Sequence, residues 1–261
     1  MANPVYQGHG GLGTNETDNA SLILTLPSGI AAGDILIASV MCTDNAVASA
    51  PTGWTLFALV LGNSTNYSYA TFWRRATSAE SGTVTFSNGG AWSGLFMGII
   101  YRFTGCIATG TPYESLQFAG AVPTTGTTKT ITPTAPTGAQ RLGVVLGICE
   151  DDTVTSIAGT GWISTVLLQT TIGTDGAMAL ALKELNNGDT VETVTLTMNN
   201  SADYASVSSF MLLPSVSVNT IKINVADVWK DMVGAKINVG DVWKTVAAVK
   251  INVGDVWKDV T

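Results

Sequence analysis

Asp34 to Met41 reads DILIASVM, and Arg141 to Gly147 reads RLGVVLG. Each is a nearly unbroken apolar run, short for a helix and rich in Ile, Val and Leu. That is the pattern of a strand buried on both faces or central in a sheet. Outward from these two strands the chain repeats itself in order. Cys42 with Thr43-Asp44 is answered by Cys149 with Glu150-Asp151, and Thr52-Gly53-Trp54 by Thr160-Gly161-Trp162. Ser68 to Arg74 is answered by Ala177 to Lys183, Thr83 to Phe86 by Thr193 to Leu196, and Trp92 to Tyr101 by Tyr204 to Leu213. The segments between them, Ser21 to Pro27 and Thr55 to Leu61, are also short and β-prone.

These segments predict an all-β chain built as a duplicated jelly-roll-like β-sandwich. Residues 1–122 form the first unit and 139–215 a second related one. The Thr/Pro/Gly-rich stretch 123–138 serves as a linker or an exchanged strand. The glycines of Gly8-His9-Gly10-Gly11-Leu12-Gly13 read as turn and flexibility residues in a mobile N-terminus.

The last forty-odd residues carry a second repeat. Lys222 to Lys230 reads KINVADVWK, and Lys236 to Lys244 and Lys250 to Lys258 both read KINVGDVWK. Ile223, Ile237 and Ile251 are fourteen residues apart, as are Trp229, Trp243 and Trp257, so the unit is structural. Two β-prone runs flank Gly-Asp, the chemistry of a two-residue hairpin turn. Pairing Val225 with Val228 sets Ile223 against Lys230 and Asn224 against Trp229, and neither face is then cleanly apolar. Three hairpins in a row predict a meander too small to order itself in water. The expected docking or assembly residues are therefore Ile223, Val225, Val228 and Trp229 in the first repeat; Ile237, Val239, Val242 and Trp243 in the second; and Ile251, Val253, Val256 and Trp257 in the third. Self-association, as a homotrimer, is the expected source of order.

The INVGDVWK phrase resembles the short GxVWK-type repeats that close many tailed-bacteriophage and prophage structural proteins. The first half also resembles a β domain that recurs in such proteins. The matching residues are Gly33-Asp34, the turn Pro51 to Thr55, Trp73-Arg74, and Tyr101 to Gly105 followed by Pro112. The resemblance implies a virion protein of head or tail (decoration, fibre or tail component), made in the host bacterial cytoplasm. Its implied partners are itself and other virion proteins.

Composition agrees with a shell or fibre role. The chain is 46% hydrophobic, enough for a full core, yet only 12% charged, about half the average for soluble proteins. Its net charge is −7, with six basic and fourteen acidic side chains before residue 216 and six basic and five acidic after it. An acidic body argues against a nucleic-acid groove. No signal-peptide pattern and no apolar run of spanning length predicts a chain without membrane insertion. Cys42, Cys106 and Cys149 are too few and too far apart for a zinc site and read as buried thiols.

Chemistry finds little to work with. The one histidine, His9, would have to serve any Ser-His or Cys-His arrangement, and no phosphate-cradling loop opens a helix. Carboxylates remain. Asp44 in the first half and Glu150, Asp151 and Asp152 in the second stand where loops leave equivalent strands. They could be solvated, hold a structural Ca²⁺, or form a glycosidase-type pair. Trp54 and Trp162 are either sugar-stacking platforms or core plugs at matched turns. The expectation is a non-enzymatic virion protein without cofactors. The alternative is a carbohydrate-binding module for host surface glycan, with Trp54, Trp162, Asp44 and Asp151 as contacts, and a glycan-degrading spike comes third.

Overall fold

The computed structural model describes residues 3–16, 21–43, 47–61, 67–88, 94–123, 126–150, 153–170, 176–200 and 204–215. Of the C-terminal segment it describes the backbone of six strands within 221–259. The described residues contain no helix, and every sheet is antiparallel. The chain divides into two compact units, Met1–Val216 and Ser217–Thr261.

The first half of the larger unit contains β1 (Val5–His9), β2 (Gly13–Asn15), β3 (Ser21–Thr25), β4 (Ile35–Thr43), β5 (Thr55–Leu61), β6 (Tyr67–Arg75), β7 (Thr83–Ser87) and β8 (Phe96–Thr104). Its large sheet runs β1-β8-β4-β6-β5, with β2 continuing on β8. Its small sheet pairs β3 with β7, and Ser49 bridges Ser87 beside them. The second half contains β9 (Tyr113–Pro123), β10 (Thr128–Ile131), β11 (Arg141–Glu150), β12 (Val154–Ala158), β13 (Ile163–Thr170), β14 (Gly176–Leu185), β15 (Val194–Met198) and β16 (Tyr204–Leu212). Its large sheet runs β9-β16-β11-β14-β13 and its small sheet β10-β15-β12. The second half thus reproduces the five-strand order of the first half's large sheet and the β3-β7 pair as β10-β15, while β2 has no counterpart and β12 stands where the first half has only the Ser49 bridge. The all-β sandwich expected from the sequence is the fold observed.

Ladder registers align the halves residue by residue. Cys42 pairs with Ser68 and Phe96, and Cys149 with Ala177 and Ala205. From that anchor Arg74 corresponds to Lys183, Leu36 to Gly143 and Phe103 to Leu212. Thr55 pairs with Trp73 and Ile163 with Leu182, so Trp54 corresponds to Trp162. Both edge strands slip register at the same point, between Leu56 and Ala58 and between Ser164 and Val166. One predicted match needs correction. Tyr204 corresponds to position 95, not to Trp92, because apolar content alone carries no register and the ladders shift that pairing by three residues.

Three cores separate four layers. The central one lies between the two large sheets and takes Ile35, Ile37, Met97 and Tyr101 from the first and Val144, Leu146, Met178 and Phe210 from the second. The other two lie between each large sheet and its small one: Leu22, Leu24, Leu36 and Phe86 in the first half, Val145, Ile157, Trp162 and Leu196 in the second. This is why DILIASVM does not alternate. Odd positions of β4 enter the central core, even positions enter the outer one, and all nine residues are buried. Hydroxyls cross the central layer: Ser39 Oγ donates to Tyr69 Oη at 3.3 Å, and Tyr69 Oη lies 3.3 Å from Ser208 Oγ in the opposite sheet. Tyr67 and Tyr204 stack across it, centroids 5.4 Å apart.

Two boundaries differ from expectation. The division at residue 122 falls inside β9, which pairs with β16 and belongs to the second sheet. The stretch 123–138 holds β10, an integral strand of the second small sheet. The N-terminal segment forms β1, with Tyr6 opposite Phe103 and His9 opposite Tyr101.

The C-terminal unit consists of β17 (Ile221–Val225) with β18 (Val228–Met232), β19 (Lys236–Val239) with β20 (Val242–Thr245), and β21 (Lys250–Val253) with β22 (Val256–Asp259). Val225 pairs with Val228, Ile223 with Lys230 and Asn224 with Trp229, as the sequence predicts. The other two hairpins repeat that ladder. Among the described residues no ladder joins one hairpin to the next, so the expected meander is instead three separate two-stranded sheets.

Candidate functional site

The matched turns before β5 and β13 carry Trp54 and Trp162. Each closes with the indole residue's N–H donating to a carbonyl three residues back: Trp54 to Pro51 at 3.3 Å and Trp162 to Gly159 at 3.0 Å. Gly53 and Gly161 take φ of +91° and +75°, which a residue with a Cβ rarely adopts. A cation covers each turn. Arg74 lies over the Trp54 ring, 5.2 Å from its centroid, and pairs with Glu80. Lys183 pairs with Glu192 and donates to the Thr160 carbonyl at 3.3 Å.

Neither indole is an open stacking platform. Trp162 is 7% exposed and belongs to the second outer core. Trp54 is half-buried between Arg74 and the Phe86 edge, centroids 5.5 Å apart. Their difference in depth has a simple cause. The position beneath Trp162 is Gly143, where a Cβ would stand 2.8 Å from the indole Cη2. The corresponding residue beneath Trp54 is Leu36, fully buried, and its bulk holds the ring outward.

Of the carboxylates, Asp44, Asp151 and Asp152 lie outside the described residues, while Glu150 ends β11 opposite Gly176 and Tyr204. Among the described residues no group of three or more His, Cys, Asp or Glu side chains could hold a metal ion. His9 is exposed, with Nδ1 2.6 Å from the Gly10 carbonyl. The three cysteines are buried and form no disulfide with one another, and burial pushes the Cys42 and Cys106 thiols up to about 12. Structural ion pairs account for other charges. Asp34, 6% exposed, accepts from Arg102 Nε at 2.7 Å and from the Ala31 N–H at 2.9 Å. Glu114 accepts from Arg141 Nε at 2.9 Å and from Thr137. Burial pushes Glu114 upward, but Arg141 and Thr137 outweigh it and hold its carboxyl below the usual range.

One concavity of the body was not foreseen from the sequence. It is a cleft of about 540 Å³ between β1 and the β13–β14 edge, lined by Val5, Tyr6, Ile163, Thr165, Leu182 and Glu184 among others. The lining is mainly apolar, and Val5 and Ile163 on it are 46% and 69% exposed. Tyr6 has a buried hydroxyl with no partner among the described residues, and burial pushes its pKa up to about 12. The sequence carried a trace of one wall only: the alternation of Val5 to His9 is that of an edge strand, hidden by the glycines around it.

No protein-family model, no curated protein and no solved structure matches this chain.

Proposed function

We propose that this chain is a non-enzymatic structural protein of a bacteriophage virion, held in place or trimerised through residues 216–261. The observation that carries the reading is the common ladder of the three C-terminal hairpins. Three copies of one hairpin each form their own two-stranded sheet with no third strand paired to them among the described residues, and an isolated hairpin is marginal in water. A partner surface must supply a third strand or a packed face, and a symmetric set of identical ribbons does so with one repeated contact. Each buried Ile, Val or Trp would contribute roughly 1.5–3 kcal/mol, which offsets the entropy of ordering so short a segment. Pairing with a neighbour also removes exposed strand edges. The resemblance of INVGDVWK to phage structural repeats supports the same conclusion, as does a body of layered sheets with few charges.

Sedimentation of the full chain against a form ending at Ser215 tests this. A trimer that reverts to monomer on truncation is expected. A monomeric full-length chain whose C-terminal segment is cleaved at once by protease overturns self-assembly. Labelling the chain on intact particles tests the virion location separately.

A further inference from the structure

The two large sheets face each other so that β5, an edge of the first, lies over β9, an edge of the second. The internal duplication makes the β13 edge over β1 the equivalent corner. Register identifies the counterparts. Phe57 and Thr165 are the extra residues of the two matching bulges; Trp73 corresponds to Leu182, and Tyr113 to Tyr6.

At the β5/β9 corner the space is filled by aromatic rings. Phe57 lies 4.7 Å from Tyr113 and 5.2 Å from Phe210, and Trp73 packs edge-on to Tyr113 at 6.5 Å. At the β13/β1 corner the same backbone presents threonine and leucine in place of phenylalanine and tryptophan. Two ring systems are missing from the wall, and the cleft of about 540 Å³ is there instead. Its size and apolar lining are those of a small-molecule site.

The rim adds a charge preference. Arg75 at the filled corner donates to the Ile107 and Gly110 carbonyls and ties down the chain entering β9. Its counterpart at the cleft is Glu184, exposed and without an ion pair among the described residues. Lys183 beside it is neutralised by Glu192, which leaves the rim with one net negative charge. We propose that the cleft between β1 and β13 binds a small aromatic cation, one or two rings bearing an amine, with the rings against Tyr6, Thr165 and Leu182 and the amine toward Glu184. This site stands on the body alone and is independent of the C-terminal hairpins.

Tryptamine, neutral indole and anionic indole-3-propionate, titrated into the full-length protein by NMR, provide the test. For a ligand of this size the expected dissociation constant for tryptamine is on the order of 1 mM. Indole should bind about threefold more weakly and indole-3-propionate more weakly still, as an exposed charge contact allows. Thr165→Phe restores the ring present at the other corner and should weaken tryptamine at least tenfold without lowering the melting temperature. Leu182→Trp is the second filling variant should the first fail to fold. Glu184→Gln should bring tryptamine to the level of indole and leave indole unchanged. Absence of saturable tryptamine binding overturns the proposal. So does binding that survives a folded filling variant, or equal binding of the anionic and cationic probes.

Discussion

The two halves of the body share their main backbone devices and differ in what fills them. The order of the large-sheet strands, the bulge in the edge strand and the Gly-Trp turn all coincide, yet Leu36 is replaced by Gly143, Phe57 by Thr165, and the ionic partners change identity. Asp34 stands just before β4 and takes Arg102 from β8, whereas Arg141 at the equivalent position starts β11 and takes Glu114 from β9. The lesson is that topology here is held by turn conformation and register, while side-chain content is exchangeable within one volume constraint. A large residue on one element permits only a small one beneath it.

The widest gap between the halves should appear at the paired indoles. Trp162→Ala removes a fully packed ring and should cost ~3–5 kcal/mol in denaturant unfolding. Trp54→Ala should cost less than half as much, because that ring is already partly in solvent. Equal losses would break the argument that Leu36 and Gly143 set the two depths.

Exchanging the supporting residue should sharpen the same comparison. Gly143→Leu forces Trp162 out of the second outer core, and a cost of about 1–3 kcal/mol is expected, with a red shift of indole fluorescence. An unshifted spectrum would mean that the ring does not rest on Gly143.

The ion pairs should differ by a smaller margin. Asp34→Asn leaves Arg102 without its buried partner and should cost ~1–3 kcal/mol, whereas Glu114→Gln, on a more exposed pair, should cost less. Glu114 also predicts a pH effect. Its folded pKa lies below the unfolded value, so its contribution is full above the ordinary carboxylate range and is lost as pH falls through the depressed folded value. Wild-type stability should decline there, and Glu114→Gln should flatten part of that decline. Parallel wild-type and variant curves would show that the pair carries no pH dependence.

What the sequence made legible follows from where its patterns are strong. DILIASVM and RLGVVLG announce central strands because both faces are apolar, and the Trp54–Trp162 match is readable because glycine and tryptophan are rare and fixed in spacing. Hairpin register was legible because one turn offset sets every pair in the ladder. β1 was missed because Gly8, Gly10 and Gly11 mask an edge strand, and β9 because pairing with β16, distant in sequence, gives YESLQFAGAV its conformation. The cleft was illegible for a different reason. It exists only as the difference between two corners, and its unpartnered Tyr6 hydroxyl is a product of packing that no sequence pattern marks.

The central hydrophobic layer also governs how the chain must come together. Each large sheet has its outer face covered by its own half, but its inner face is covered only by the other half. During synthesis, residues 5–104 can complete their hydrogen bonds while Ile37, Tyr69 and Tyr101 still present an open apolar surface. The matching surface of a second nascent chain has the same strand order and competes with the chain's own C-terminal half. Exchange of halves between two chains, hinged at the connection from 105 to 112, is the failure mode built into this duplication, and dilution during refolding is its natural remedy.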